Sequence, residues 1–373
     1  MTARPDADVA VVGAGIIGLC TAFALRERGA SVRVYERGVP GNGQSGGDSR
    51  IFRHAHDDPR LVSLTRESRD VWRAWQEQLG VELVSSDGVV ALGDRAIDRL
   101  AIADTVPGTP LRRAEPDEIG DWLPILAAHD GPATVDEGGG ATRNRAAVES
   151  LAAALGDALV ADEVLGLRTT DSGTVEVRSG GHTSQHERAV ICAGLGTAPL
   201  LRGVGLQLPV TLGAHVRLTF PLREGPVPRL ACLQDGSGAF GETGVYATPS
   251  PGNGAYGVGL SETIAAHEGG GLVDPGGLAE HVARLRTYVQ RALPGLVPEP
   301  VDVRHCWVTE LPWSPDGVAV WEAGPVLAIA GHNLFKNAPG LGRALARAAT
   351  GDGLRDELRP EAQLGAAAAP AES

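Results

Sequence analysis

The apolar run DVAVV, residues 8 to 12, barely alternates. A segment apolar on both faces suits a strand buried inside a parallel sheet and not a surface hairpin. The helical run LCTAFALRERG follows, and SVRVYE supplies a second strand ending at Glu36. Further along, VELVSSDGVVALG, LPVTLGAHVRLTF and GVYATPSPGNGAYGVGL alternate apolar with polar positions, as sheet covered on one face does. Residues 59 to 79 and 144 to 155 repeat apolar positions at i, i+3 and i+4, which predicts two amphipathic helices. The end, LGAAAAPAES, is low in complexity, and residues 363–373 are expected to form a flexible tail.

Composition adds bounds. A chain of 373 residues exceeds one ordinary compact domain, and its 51 glycines and 25 prolines fit a loop-rich α/β protein. The formal net charge of −13 works against a nucleic-acid or anionic membrane surface. The start, MTARPDADVAVVG, carries no signal-peptide pattern, and no stretch is apolar enough to span a bilayer, so a cytoplasmic location is expected. Cys20, Cys192, Cys232 and Cys306 form no CxxC pair, which points away from a zinc site or a disulfide framework.

Chemistry enters with GAGIIG, residues 13 to 18, between the first strand and the first helix. In that context Gly13 permits the tight turn, Gly15 lets backbone approach a diphosphate, and Gly18 lets helix and strand pack closely. The diphosphate would rest on the helix N-terminus, and Glu36 would accept from ribose hydroxyls. The motif points to an adenine dinucleotide without separating FAD from NAD. A second signal is Lys336 in GHNLFKNAPGLG, the sole lysine among 33 basic side chains. Lysine is a compact, titratable point charge, whereas arginine is a rigid fork that stays protonated. In RHAHDD, His54, His56, Asp57 and Asp58 crowd too closely to face one ion, so no metal is expected. No Ser/His/Asp arrangement with a nucleophile elbow is present, which sets hydrolysis aside.

GNGQSGGDSRIFRHAHDD, residues 41 to 58, resembles the loop after the second strand in the monomeric sarcosine oxidase and N-methyltryptophan oxidase family of D-amino-acid-oxidase-like flavoproteins. Gly47, Asp48, Ser49, Arg50, Arg53 and His54 match its pattern. RAVICAGLGTAPLL, CWVTELPWSPDG and IAGHNLFKNAPGLG resemble three later flavin-domain segments in order. The resemblance implies FAD and a p-hydroxybenzoate-hydroxylase-like architecture. An α/β, Rossmann-like FAD-binding domain would comprise residues 1–82, 140–208 and 300–362. An interleaved, mostly antiparallel substrate domain would comprise residues 83–139 and 209–299. It further implies cofactor contacts from Gly13, Gly15, Ile16, Ile17, Gly18, Glu36, Arg37, Ser45, Arg50, Val164, Ala193, Gly194, Gly331, Asn333, Leu334, Phe335 and Lys336, with a thioether to the flavin from Cys306. His305 or Arg50 would lower the thiol pKa, and Thr309 keeps the Cys-x-x-Thr spacing.

For the substrate, the resemblance gives Arg53 and Lys336 the amino acid carboxylate and places Tyr246 in the pocket. The alternative for Arg53 is an ion pair with Asp57 or Asp58. His332 is a candidate for amine deprotonation, and Trp307 and Trp313 for walls of a pocket for a bulky ring. The helix beginning PGLGRALARAATG would aim its N-terminus at the reduced flavin. Three positions depart from the family: Gly257 stands where an oxygen-activating lysine is expected, and Gly46 and Ser261 replace histidines. These departures argue against sarcosine itself as substrate. The expected function is FAD-dependent oxidation of a secondary amine or cyclic imino acid carboxylate to an imine, with dioxygen as acceptor, by a monomer. An amine dehydrogenase using another acceptor, favoured by Gly257, and a non-catalytic flavin-binding protein are the alternatives.

Overall fold

The buried run at the amino terminus lies inside a six-stranded sheet. In a computed structural model that describes residues 6–267 and 271–367, Val9–Val12 pairs in parallel with Val32–Glu36 on one side and Arg188–Ile191 on the other. Leu159–Ala161 extends one edge; Val326–Gly331 and antiparallel Val318–Ala323 extend the other. Separate stretches of chain therefore share one sheet.

Its weak alternation has a structural reason. Val9 and Val11 face a core shared with helices Ile16–Glu27, Asn144–Leu155 and Ala338–Ala349. Ala10 and Val12 face the opposite way, into a core shared with the antiparallel sheet of Val164–Thr169, Val175–Ser179 and His182–His186. Both faces are covered, so both sets of side chains are apolar. The first and last helices touch closely: a Cβ on Gly342 would lie 2.7 Å from the backbone carbon of Cys20.

A nine-stranded sheet forms the second layer, antiparallel except where Cys232–Asp235 runs parallel to Val89–Leu92. Along Thr211–Pro221, residues Val216, Leu218 and Phe220 pack against helix Gly276–Ala292, with its buried Leu285, Tyr288 and Val289. His215 and Arg217 point to the other face. Val245 and Ala247 repeat this inward role on Val245–Pro249, which sends Tyr246 and Thr248 to the same side as Arg217. This second face looks onto the loops of the six-stranded sheet.

The helix read from residues 59 to 79 spans Pro59–Leu79. Asp58 caps it by accepting the Arg60 N–H at 2.8 Å, and Gly80 closes it at φ 67°. Asn144–Leu155 likewise matches the second expected helix.

Two expectations about boundaries need correction. Asp302–Glu310, expected in the FAD segment 300–362, pairs along its length with Thr211–Pro221 and belongs to the nine-stranded sheet. Residues 363–367, expected in the tail, are docked: Leu364 is fully buried, and the Gly365 N–H donates to Asp58 Oδ2 at 2.8 Å. Residues 368–373 lie outside the described residues.

Candidate active site

The glycine motif forms a tight cradle. Gly13 has φ 98°, and a Cβ there would lie 2.6 Å from the carbonyl oxygen of Cys192. A Cβ on Gly18 would strike the carbonyl of Gly13, so the helix seats against its own turn. Glu36 accepts the Ala14 N–H at 2.8 Å and the Gly38 N–H at 2.9 Å, and Ser45 Oγ accepts the Ile16 N–H at 2.9 Å. A cavity of about 840 Å3 opens here, lined at this end by Gly13, Gly15, Ile16, Ile17, Glu36, Arg37, Ser45, Ala193 and Gly194.

The cavity continues to Arg50, Cys306 and the loop Gly331, His332, Asn333, Leu334, Phe335 and Lys336. Gln44 Nε2 donates to Thr309 Oγ1 at 3.0 Å and to the Trp307 carbonyl at 3.2 Å, tying the early loop to the strand that carries Cys306. Arg50 Nη2 lies 3.8 Å from Cys306 Sγ and donates to the Gly46 carbonyl at 2.6 Å. The half-buried Cys306 thiol thus sits beside a guanidinium.

Three charged side chains meet at the far end. Lys336 is 4 % exposed, and its Nζ donates to the Asn333 carbonyl at 3.2 Å. Among the described residues, no carboxylate lies within ion-pair distance of it. Burial, reinforced by Arg53, pulls its ammonium down to about 7. Arg53 Nη2 is bridged to Asp316 Oδ2 at 2.7 Å, and Nη1 donates to the Ala55 carbonyl. Burial raises the Asp316 carboxyl, but Arg53, His56 and Lys336 outweigh it and hold Asp316 well below the usual carboxylate range.

The nine-stranded sheet supplies the facing wall through His215, Arg217, Tyr246 and Thr248. Arg217 is buried and donates to the Ser49 carbonyl at 2.6 Å and to the Thr248 hydroxyl, all neutral acceptors. No carboxylate among the described residues pairs with it. Its guanidinium covers Gly257, where a Cβ would lie 2.7 Å from Arg217 Cζ. Burial pushes Tyr246 up to about 12, so it keeps its proton. His332 stands edge-on to His215, with ring centroids 5.3 Å apart, and burial with that neighbour drives it down to about 3.

Several expected placements fail. Val164 does not reach the cavity; it starts a strand of the small back sheet and is buried in that sheet's core. Trp313 points its indole N–H to the Leu364 carbonyl at 3.1 Å and lines no part of the cavity, whereas Trp307 does. Arg53 pairs with neither Asp57 nor Asp58. Asp57 binds Arg99 at 2.8 Å and Arg95 at 2.7 Å, while Asp58 holds Arg60 and caps its helix. The four side chains of RHAHDD part company: His54 goes to Asp136 at 2.9 Å and His56 to Asp316 at 3.2 Å. Arg217, His215 and Arg99 were not singled out from the sequence. Alternation along LGAHVRL placed Arg217 and His215 on the polar face, the signal that could have found them.

The glycine cradle and its N–H groups fit a diphosphate, and the long cavity that runs from them to Cys306 and Lys336 fits FAD. Comparison with known proteins agrees. A family model described as FAD dependent oxidoreductase matches residues 8–348. Human peroxisomal sarcosine oxidase is 25% identical over 376 residues, covering 92% of this chain and 93% of that protein. Glycine oxidase of Geobacillus kaustophilus is 28% identical over 267 residues, covering 66% of this chain and 68% of that one. Among solved structures, NikD, described as an unusual amino acid oxidase essential for nikkomycin biosynthesis, superposes with TM-score 0.80 at 23% identity, covering 93% of this chain and 94% of its own. L-proline dehydrogenase from P. horikoshii gives TM-score 0.79 at 18% identity, covering 95% of each chain.

Proposed function

We propose that this chain, which belongs to the FAD-dependent oxidoreductase family, oxidises the C–N bond of an amino acid carboxylate whose nitrogen is a secondary amine or part of a ring. Amine and dioxygen would yield imine and hydrogen peroxide. The observation that carries this reading is Lys336, a buried ammonium on the cavity wall whose hydrogen bond goes to a backbone carbonyl. A buried cation with no carboxylate partner is unfavourable, and an anionic ligand in the cavity relieves it.

When bound, FAD supplies the acceptor for the hydride and passes the electron pair to dioxygen. The chain's own groups hold the reactants. Lys336 and Arg53 together take the carboxylate and so turn the nitrogen-bearing carbon toward the flavin end. Tyr246, protonated, can donate to the substrate, and His332, neutral, can donate from one ring nitrogen and accept at the other. His332 is then too weak a base to draw a proton from an ammonium, so an amine that enters as a cation loses its proton to water before it is oxidised. Cys306, beside Arg50, would attach the cofactor. The protein is read as a cytoplasmic monomer.

A second reading, a dehydrogenase with another acceptor, rests on Gly257. Arg217 weighs against it, because its buried guanidinium fills the space over that glycine and restores a fixed positive charge where oxygen is reduced. The test is anaerobic mixing of the flavin-loaded protein with sarcosine, L-proline, L-pipecolate and N-methyl-L-tryptophan. Bleaching of the yellow colour by one of them supports amine oxidation; no bleaching by any counts against it. Hydrogen peroxide on admitting air then selects the oxidase.

A further inference from the structure

The carboxylate-binding reading meets an obstacle in the same cavity: a carboxylate is already there. Asp316 lines the cavity and sets Oδ2 at 2.7 Å from Arg53 Nη2 and 3.2 Å from His56 Nδ1. Its Oδ1 accepts from Asn333 Nδ2 at 2.5 Å. An arginine offers a carboxylate two edges, Nη1 with Nη2 and Nε with Nη2. Asp316 takes the nitrogen common to both, and the Ala55 carbonyl takes Nη1. An incoming anion therefore finds Lys336 without a carboxylate and Arg53 engaged.

We propose that Asp316 is a resident stand-in for the substrate's carboxylate, which must yield the Arg53 fork before an anionic ligand binds, and so selects which anions the cavity accepts. This rests on the reading that Arg53 and Lys336 are the carboxylate-binding pair.

Two features distinguish Asp316 from an ordinary buried ion pair. Its side chain is 15% exposed and faces the cavity, so it has somewhere to go, whereas the Arg53 side chain is 7% exposed. Its third partner, Asn333, sits at φ 55° in the same loop as Lys336, so the groups that hold Asp316 and the groups that would hold a ligand are one short segment. Two carboxylates cannot share Arg53 and Lys336 closely without repulsion. A plain carboxylate must overcome that repulsion. A zwitterionic amino acid does not face it alone, because its own cationic nitrogen can pair with the displaced Asp316. The cavity thus favours substrates that carry carboxylate and amine together over simple acids.

The probe is benzoate, a plain carboxylate, titrated into the flavin-loaded protein by calorimetry. Asp316→Asn should bind benzoate about tenfold tighter than the wild type, the order expected when one charge-assisted competitor is removed. Equal or weaker binding overturns the proposal, because an aspartate that merely positions Arg53 would make its loss weaken the site. Asp316→Ser provides the same reading should the asparagine variant not fold. A crystal of the wild type soaked in benzoate gives an independent answer: the Arg53–Asp316 bridge opens if Asp316 is a competitor and stays closed if it is not. Arg53→Gln separates the two levels. Unchanged benzoate affinity there overturns the carboxylate-binding reading itself; weakened affinity without tightening in Asp316→Asn overturns only the role given to Asp316.

Discussion

Arg217 occupies the space that a side chain at Gly257 would need, with Cζ 2.7 Å from the Cβ position of that glycine. The two residues lie on paired antiparallel strands, Thr211–Pro221 and Ala255–Leu260, on the same face of the sheet, and Arg217 lines the cavity. On the proposed function, Arg217 would supply from the neighbouring strand the positive charge that Gly257 lacks. A fixed charge in a water-poor site needs no reorganisation when negative charge develops on oxygen.

Arg217→Met should therefore slow reoxidation of the reduced protein by dioxygen, about 100-fold by comparison with other preorganised charges. The anaerobic reduction rate should change far less. Stopped-flow measurement of the two half-reactions checks this; equal slowing of both would show that Arg217 acts on structure instead.

The pH dependence follows from Lys336. Its ammonium is needed for an anion, and burial leaves it titrating near 7 in the free protein. Carboxylate affinity should be fully present below about 7 and fall as pH rises through it, because the folded pKa is depressed and the neutral amine binds no anion. Asp316 stays ionised throughout that range. Benzoate titrations from pH 6 to about 9 check the slope; affinity flat across that range would sever the link to Lys336.

Cys306 is expected to hold the flavin covalently. Acid precipitation should leave the yellow colour in the pellet for the wild type and release it to the supernatant for Cys306→Ser. Colour released by the wild type would make the thiol an ordinary half-buried cysteine beside Arg50.

Gly342 tests the packing that shapes the cofactor end. Alanine is the better helix former by about 1 kcal/mol. Here its methyl would press on the Cys20 backbone, 2.7 Å away, and overpacking of this kind costs about 1–3 kcal/mol. Gly342→Ala should lower the denaturant midpoint; a higher midpoint would mean that helix Ala338–Ala349 moves aside freely.

Local signals carried well from sequence to structure. GAGIIG, Glu36 and the two helices lie where hydrophobic spacing put them, because each is determined by residues within a few turns. The loop around Lys336 does line the cavity. Contacts across long sequence separation were not legible. Arg53 and Asp316 lie 263 positions apart, and nearer acids, Asp57 and Asp58, offered a plausible partner each. Val301, just before strand Asp302–Glu310, and Val303 within it are exposed, and the alternation there says nothing about which of two sheets the strand joins. Val164 is expected at the cofactor from the resemblance alone, and only the stacking of the small sheet on the large one shows that its side chain is buried in a core.

The central claim is that Lys336 holds the ligand's carboxylate. Benzoate binding to flavin-loaded wild type and Lys336→Met at pH 6, read from the visible spectrum of the cofactor, tests it most directly. The methionine variant, similar in length but without charge, should bind benzoate at least about tenfold more weakly, the scale of one charge-assisted hydrogen bond. Equal affinity in the two proteins would contradict it.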